Sequence, residues 1–178
     1  MGRTIYGVMG LALLLNLAAA TEAAAADIAS ATAAYQSGDY RAAFTEFQEL
    51  ANGGDTQAML WLGFLYQQGQ GTVQDYDEAM NHFRTAADLG DAQAAFYVGN
   101  MYANGYGVTR DAIEAVRWFR QSAEHGDVFG QYALGQAHEH GEGAPRDLRA
   151  ARRWYQAAAD QGSTDAQAAL QHLTANPE

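Results

Sequence analysis

"GYGVTRD", from Gly105 to Asp111, reads at first as a phosphate cradle: Gly-x-Gly, then an acidic residue, then an apolar periodic run. A glycine-rich turn opening a helix can offer bare N–H groups and the positive helix end to an anion. The rest of the chain decides against that reading by repeating it. "GQGTVQD" starts at Gly69 and "GEGAPRD" at Gly141, so the three copies lie 36 residues apart without gaps. Three equivalent copies belong to architecture. A nucleotide loop would also need a preceding strand and a lysine, and the chain has no lysine.

The register extends well beyond the loop. Gly63, Gly99 and Gly135 share a column, preceded by Leu62, Val98 and Leu134. Ala79, Ala115 and Ala151 form another column, and Phe83, Phe119 and Tyr155 a third; Gly90, Gly126 and Gly162 close each unit. The units are therefore residues 55–90, 91–126 and 127–162. Partial copies flank them: "GDYRAAFTEFQELANGG" from Gly38 matches a second half, and "STDAQAALQHL" from Ser163 a first half.

Each half of a unit carries small or apolar residues at helical spacing, such as Ala58, Leu62, Leu65 and Tyr66, then Ala115, Phe119, Ser122 and Ala123. Two such halves predict an αα-hairpin. Asp75, Asp111 and Asp147 are placed as N-caps of the second helices. Glu78 and Glu114, three residues on, predict a capping box in two units, with Ala150 in the third. The paired glycines supply positive φ where the chain leaves the first helix. A single hairpin cannot bury its apolar stripe, so neighbours must stack into an elongated array.

Composition narrows the function. The chain of 178 residues opens with Arg3, an apolar run from Ile5 to Ala20, and Ala24-Ala25-Ala26. That order predicts a secretory signal peptide over residues 1–26, cleaved after Ala26, and no membrane span thereafter. Cysteine is absent, which removes disulfides and the lipid-bearing cysteine of a lipoprotein. All ten basic residues are arginine, so neither a Schiff base nor a serine–lysine dyad can be built. A net charge of −11 opposes nucleic acid and anionic lipid as partners.

With these columns in view, "VGNMYANGYGVTRDAIEAVRWFRQSAEHG" and "LGQAHEHGEGAPRDLRAARRWYQAAADQG" resemble the Sel-1-like repeat family, relatives of tetratricopeptide repeats. Residues 27–54 resemble a plain tetratricopeptide hairpin, and residues 163–178 read as a capping helix and tail. Departures are His82 in the column of Trp118 and Trp154, His138 in that of Tyr66 and Tyr102, and Pro145 in that of Val73 and Thr109. The resemblance implies an all-α, right-handed α-solenoid holding a protein or peptide partner in a concave groove. Gln171 takes the column of Gly63, Gly99 and Gly135. A side chain is expected to be tolerated there, on the reading of this segment as the cap of the array.

In such solenoids the first helix of each hairpin lines the groove. Carried over by column, this gives Gln57, Leu60, Phe64, Gln67 and Gln68; then Gln93, Phe96, Asn100 and Asn104; then Phe129, Tyr132, Gln136, Glu139 and His140. Amides can pair with a peptide backbone while rings bury its side chains. Leu60, Phe96 and Tyr132 could equally be packed between hairpins, whereas Phe64, Asn100 and Gln136 vary in type as groove positions do.

Other candidates carry less. "HEH" from His138 to His140 suggests a metal, but residues two apart on a helix do not share a face, so no metal and no cofactor is expected. Trp118 and Trp154 read as core and Trp61 as the more exposed ring. The arginines from Arg146 to Arg153 read as solvated or ion-paired. Ser30, Ser37, Ser122 and Ser163 have no evident base beside them. The expectation is an exported, periplasmic or secreted, monomeric and non-catalytic interaction scaffold. The alternatives are a β-lactam-hydrolysing enzyme like the cysteine-rich members of the family, and a cell-wall glycan-binding module.

Overall fold

The computed structural model describes residues 27–175, and every regular element among them is a helix. The leader expected over residues 1–26 lies outside the described residues. Helix α1 covers 27–36 and α2 Tyr40–Asn52. Three hairpins follow: α3 (Thr56–Gln68) with α4 (Tyr76–Asp88), α5 (Ala92–Asn104) with α6 (Ala112–Glu124), and α7 (Val128–His140) with α8 (Leu148–Asp160). A last helix, α9 (Thr164–Ala175), packs on α8. Each helix packs chiefly on its neighbours in sequence, and α5 also touches α7, so the hairpins form a stacked array. No described helix is long and apolar enough to cross a membrane.

Aspartates start the helices. Asp55, Asp91 and Asp127 accept from the N–H groups of Ala58, Ala94 and Gly130 at 2.9, 2.8 and 2.6 Å. Asp75, Asp111 and Asp147 each accept from two N–H groups at the heads of α4, α6 and α8. Such a side chain satisfies backbone donors that have no partner within the helix. Asp91 also joins two helices: its N–H donates to the Ala86 carbonyl and closes α4, while its carboxylate opens α5.

The expected capping boxes are not formed. The N–H of Asp75 donates to the Tyr66 carbonyl and that of Asp111 to the Tyr102 carbonyl, both at 2.9 Å. Asp147 does the same to His138, in the unit that lacks the glutamate. The hairpin turn thus satisfies the donor that the glutamate would have taken, and Glu114 pairs with Arg117 instead. The residue before each N-cap closes the first helix as well. Gln74, Arg110 and Arg146 donate to the carbonyls of Gln67, Ala103 and Glu139 at 2.8, 2.9 and 3.2 Å.

Two glycine columns set the packing. A Cβ on Gly99 would lie 2.6 Å from the Phe119 ring, one on Gly135 as close to Tyr155, and one on Gly63 closer still to Phe83. The second glycine of each loop has positive φ and rests on the preceding hairpin: Gly71 on the Tyr40 carbonyl, Gly107 on Tyr76, Gly143 on the Ala112 carbonyl. The loop therefore locks one hairpin to the next.

The core runs through the interfaces between hairpins. Trp61 stacks on Phe47 (5.5 Å, 8°), and Tyr97 stacks on Phe83 (5.3 Å, 22°). This corrects the reading of Trp61 as an exposed ring. It is half-buried, with Tyr35 4.8 Å away on another side. Trp118 and Trp154 pack partly buried against the core.

Candidate functional site

Between the second and third hairpins the packing opens into a cleft of about 410 Å³. Helix α5 supplies Phe96, Asn100, Ala103 and Asn104 as one wall. Helix α7 supplies Phe129, Tyr132, Ala133, Gln136, Ala137 and His140 as the other. The floor comes from α6, with Ala112, Ala115, Val116 and Phe119, and the loops contribute Arg110 and Glu142.

The cleft has two unlike ends, because α5 and α7 run the same way along it. Near their N-termini lie Phe96 and Phe129, with ring centroids 5.6 Å apart, and Phe129 is 54% exposed. Near their C-termini lie Asn104, Arg110, His140 and Glu142. Amides occupy the middle. Asn104 Nδ2 donates to Asn100 Oδ1 and to the Asn100 carbonyl, and Gln136 Nε2 donates to the Tyr132 hydroxyl at 3.2 Å. An amide has two donors and an oxygen with two lone pairs, so these side chains keep capacity for a bound backbone. Burial raises the Tyr132 phenol above its ordinary value, with Asp165 and Glu139 adding to the effect. Tyr132 is therefore a neutral lining residue at physiological pH.

Half of the groove residues expected from the sequence meet at this cleft: Phe96, Asn100, Asn104, Phe129, Tyr132, Gln136 and His140. The others do not. Leu60 is a core residue, 5% exposed, which corrects its assignment to the groove. Phe64 is held among Trp61, Phe83 and Tyr97, whose rings lie 4.6–6.0 Å away. Glu139 turns from the groove toward the end of the array. It accepts from the buried Tyr155 hydroxyl at 2.6 Å and faces His172 at 3.7 Å. Burial and these Glu139 contacts raise the Tyr155 phenol far above its ordinary value. Gln57 and Gln68 are exposed, and Gln67 and Gln93 half-buried, away from the cleft.

A rule that takes only first helices could not find the α6 floor or the loop residues Arg110 and Glu142. The signal lay in the size of residues within columns: Tyr97 becomes Ala133, Met101 becomes Ala137 and Met80 becomes Val116.

The other candidates serve packing. His138 Nδ1 lies 3.3 Å from the Pro145 carbonyl while His140 lines the cleft, so the two imidazoles do not converge. Among the described residues no three His, Asp or Glu side chains are grouped to hold a metal ion. Ser122 is fully buried and donates to Asp127 Oδ2 at 3.0 Å; Ser163 caps α9 through Ala166 N–H. Burial holds the Asp127 carboxyl above its ordinary value, although bonds from Gly130, Ser122 and Phe129 oppose the shift.

The Sel1 repeat profile matches residues 56–91, 92–127 and 128–163. A Sel1 repeat protein from Oxalobacter formigenes is 31% identical with a TM-score of 0.77, over 84% of this chain and 63% of that one. A protective antigen present in uropathogenic Escherichia coli strains, described as displaying an SLR fold, is 36% identical with a TM-score of 0.78. That match covers 90% of this chain and 36% of the antigen. The chain thus spans less than two thirds of either relative. Cysteine-rich protein B of Helicobacter pylori, 20% identical with a TM-score of 0.61 over 74% of this chain and 95% of that one, shares the fold. No curated protein matches the chain. The architecture is accordingly an all-α, right-handed α-solenoid. Sel1 repeat proteins generally mediate protein–protein interaction and are typically non-catalytic. Three consecutive repeats, each folded as a hairpin with its Gly-x-Gly turn and aspartate cap, place this chain in the Sel1 repeat family.

Proposed function

We propose that this protein is an exported, non-catalytic scaffold that holds a segment of a partner protein in the cleft between α5, α6 and α7. The observation that carries the reading is the pairing of accessible ring surface with amides in one concavity: the half-buried Phe96 and the exposed Phe129 beside Asn100, Asn104 and Gln136. Rings can bury partner side chains while amides pair with its backbone, the combination that extended segments require. A cleft of about 410 Å³ is near the lower end of ligand pockets, roughly 300–1,000 Å³, so it suits a few residues of a partner. The leader pattern over residues 1–26 supports export, and the protein acts in the periplasm or outside the cell as a monomer.

Photo-crosslinking from p-benzoylphenylalanine tests the binding mode. A probe replacing Gln136, on the cleft, is expected to capture a discrete partner in the source cell. A probe replacing Arg153, exposed on α8, is not. Adducts from Arg153 alone, or from neither position, would refute the binding mode. N-terminal sequencing of the fractionated protein tests export, with a mature start at Asp27 expected and an intact leader contradicting it.

A further inference from the structure

A column of rings runs along the second helices at Phe47, Phe83, Phe119 and Tyr155. Over the first two, the next hairpin lays a ring of its own: Trp61 on Phe47 at 5.5 Å and Tyr97 on Phe83 at 5.3 Å. Phe47 and Phe83 are both 0% exposed as a result. Tyr155, at 1% exposed, is covered by Tyr132 at 5.5 Å together with Leu173. Phe119 has Phe96 of its own hairpin beside it at 5.8 Å, as Tyr155 has Tyr132, yet with no ring from the next hairpin it alone among the four is left half-buried. The position due to cover it holds Ala133, and the flanking columns shrink too, from Phe64 to Asn100 and from Met101 to Ala137. The cleft is the space these side chains leave.

We infer that the partner supplies the missing ring: the cleft takes a basic segment by one Tyr or Phe side chain laid over Phe119 in the place of Ala133. This deepens the partner-binding reading above and rests on it. The protein's own first two interfaces show the geometry, a near-parallel ring about 5 Å from its mate, within the range such pairs favour. The amides of Asn100 and Gln136 stand beside the vacant place and can bond the backbone on either side of the inserted residue. The basic flanks follow from charge. Arg110 and Glu142 both line the cleft and offset each other, so the preference comes from the chain as a whole, whose 21 acidic residues against 10 arginines give a field that draws in a positive segment.

Two lysine-flanked pentapeptides test this directly, one with tyrosine and one with alanine at the centre, titrated into the protein by NMR. The tyrosine peptide is expected to shift the Phe119, Ala133 and Gln136 signals and to bind about 10-fold or more tightly than the alanine peptide. A glutamate-flanked tyrosine peptide is expected to bind more weakly than its lysine counterpart. Ala133→Tyr restores the ring of the first two interfaces, so it should melt no lower than wild type and lose the tyrosine peptide. If that variant melts early, Ala133→Leu serves as the second plug. Equal binding of the tyrosine and alanine peptides, binding of neither, or retention of the tyrosine peptide by a folded plugged variant would overturn the inference. A Gln136 crosslink that survives Ala133→Tyr removes only the ring insertion. No crosslink from Gln136 removes the broader reading.

Discussion

Gly99 lies directly beneath Phe119: a Cβ built on the glycine would stand 2.6 Å from two ring carbons, and the same pairing joins Gly63 to Phe83 and Gly135 to Tyr155. The ring therefore rests on the backbone of the first helix, and the hairpin closes without a side chain between. Glycine within a helix normally costs about 1 kcal/mol relative to alanine. Here the sign reverses. Gly99→Ala is expected to destabilise by about 1–3 kcal/mol through overpacking, read as a lower urea midpoint. An unchanged or higher midpoint would mean that the ring can move aside freely.

Asp111 and Glu114 separate the two halves of a capping motif. Asp111 accepts from Ile113 and Glu114 N–H groups, whereas the reciprocal bond from Glu114 is replaced by the Tyr102 carbonyl. Asp111→Ala should cost about 1 kcal/mol. Glu114→Ala, which removes any acceptor for the box, should cost no more than about 0.5 kcal/mol, the usual worth of an exposed pair such as that with Arg117. Equal losses in denaturant titrations would restore the box.

Ser122 and Gly130 are a coupled exchange. A Cβ at Gly130 would run into Ser122, while the matching pairs elsewhere are Ala86 with Ala94 and Ala158 with Ala166. Gly130→Ala alone should be strongly destabilising, and adding Ser122→Ala should recover much of the loss. A double-mutant cycle is expected to give a coupling of about 1–3 kcal/mol. Additive losses would show the two sites to be independent.

His82 should make stability depend on pH. Burial lowers its pKa from the ordinary 6.5, with Glu78 opposing, and the ring stacks on Tyr66 at 5.5 Å. Below pH 6.5 the unfolded chain takes up a proton that the folded chain refuses, so stability falls as pH drops from there through the folded pKa. His82→Trp, matching Trp118 and Trp154, should remove part of that fall. Melting curves at about pH 7.5 and pH 5 that change equally in both proteins would contradict the assignment.

Backbone demands were legible in the sequence because few residues meet them. Only glycine sits comfortably at the positive φ of Gly69, Gly71 and their mates, and aspartate at Asp75 and Asp111 announces a helix start. Groove membership was less legible because it depends on what neighbouring hairpins insert. Leu60 and Asn100 both lie on first helices in the assigned groove register, yet Leu60 is buried and Asn100 lines the cleft. The rings of Phe64 and Tyr97 pack together in the first gap, where Asn100 and Ala133 leave the next one open. Glu139 left the groove because the buried Tyr155 hydroxyl lies within its reach, a contact made across 16 residues of chain.

Hydrogen exchange on the protein alone and with its crosslink-identified partner tests the account most directly. Partner binding in the cleft predicts new protection over residues 96–104 and 129–140, with the exposed face of α8 around Arg149 and Arg153 unchanged. Protection confined to α8, with the α5 and α7 amides exchanging as before, would contradict it.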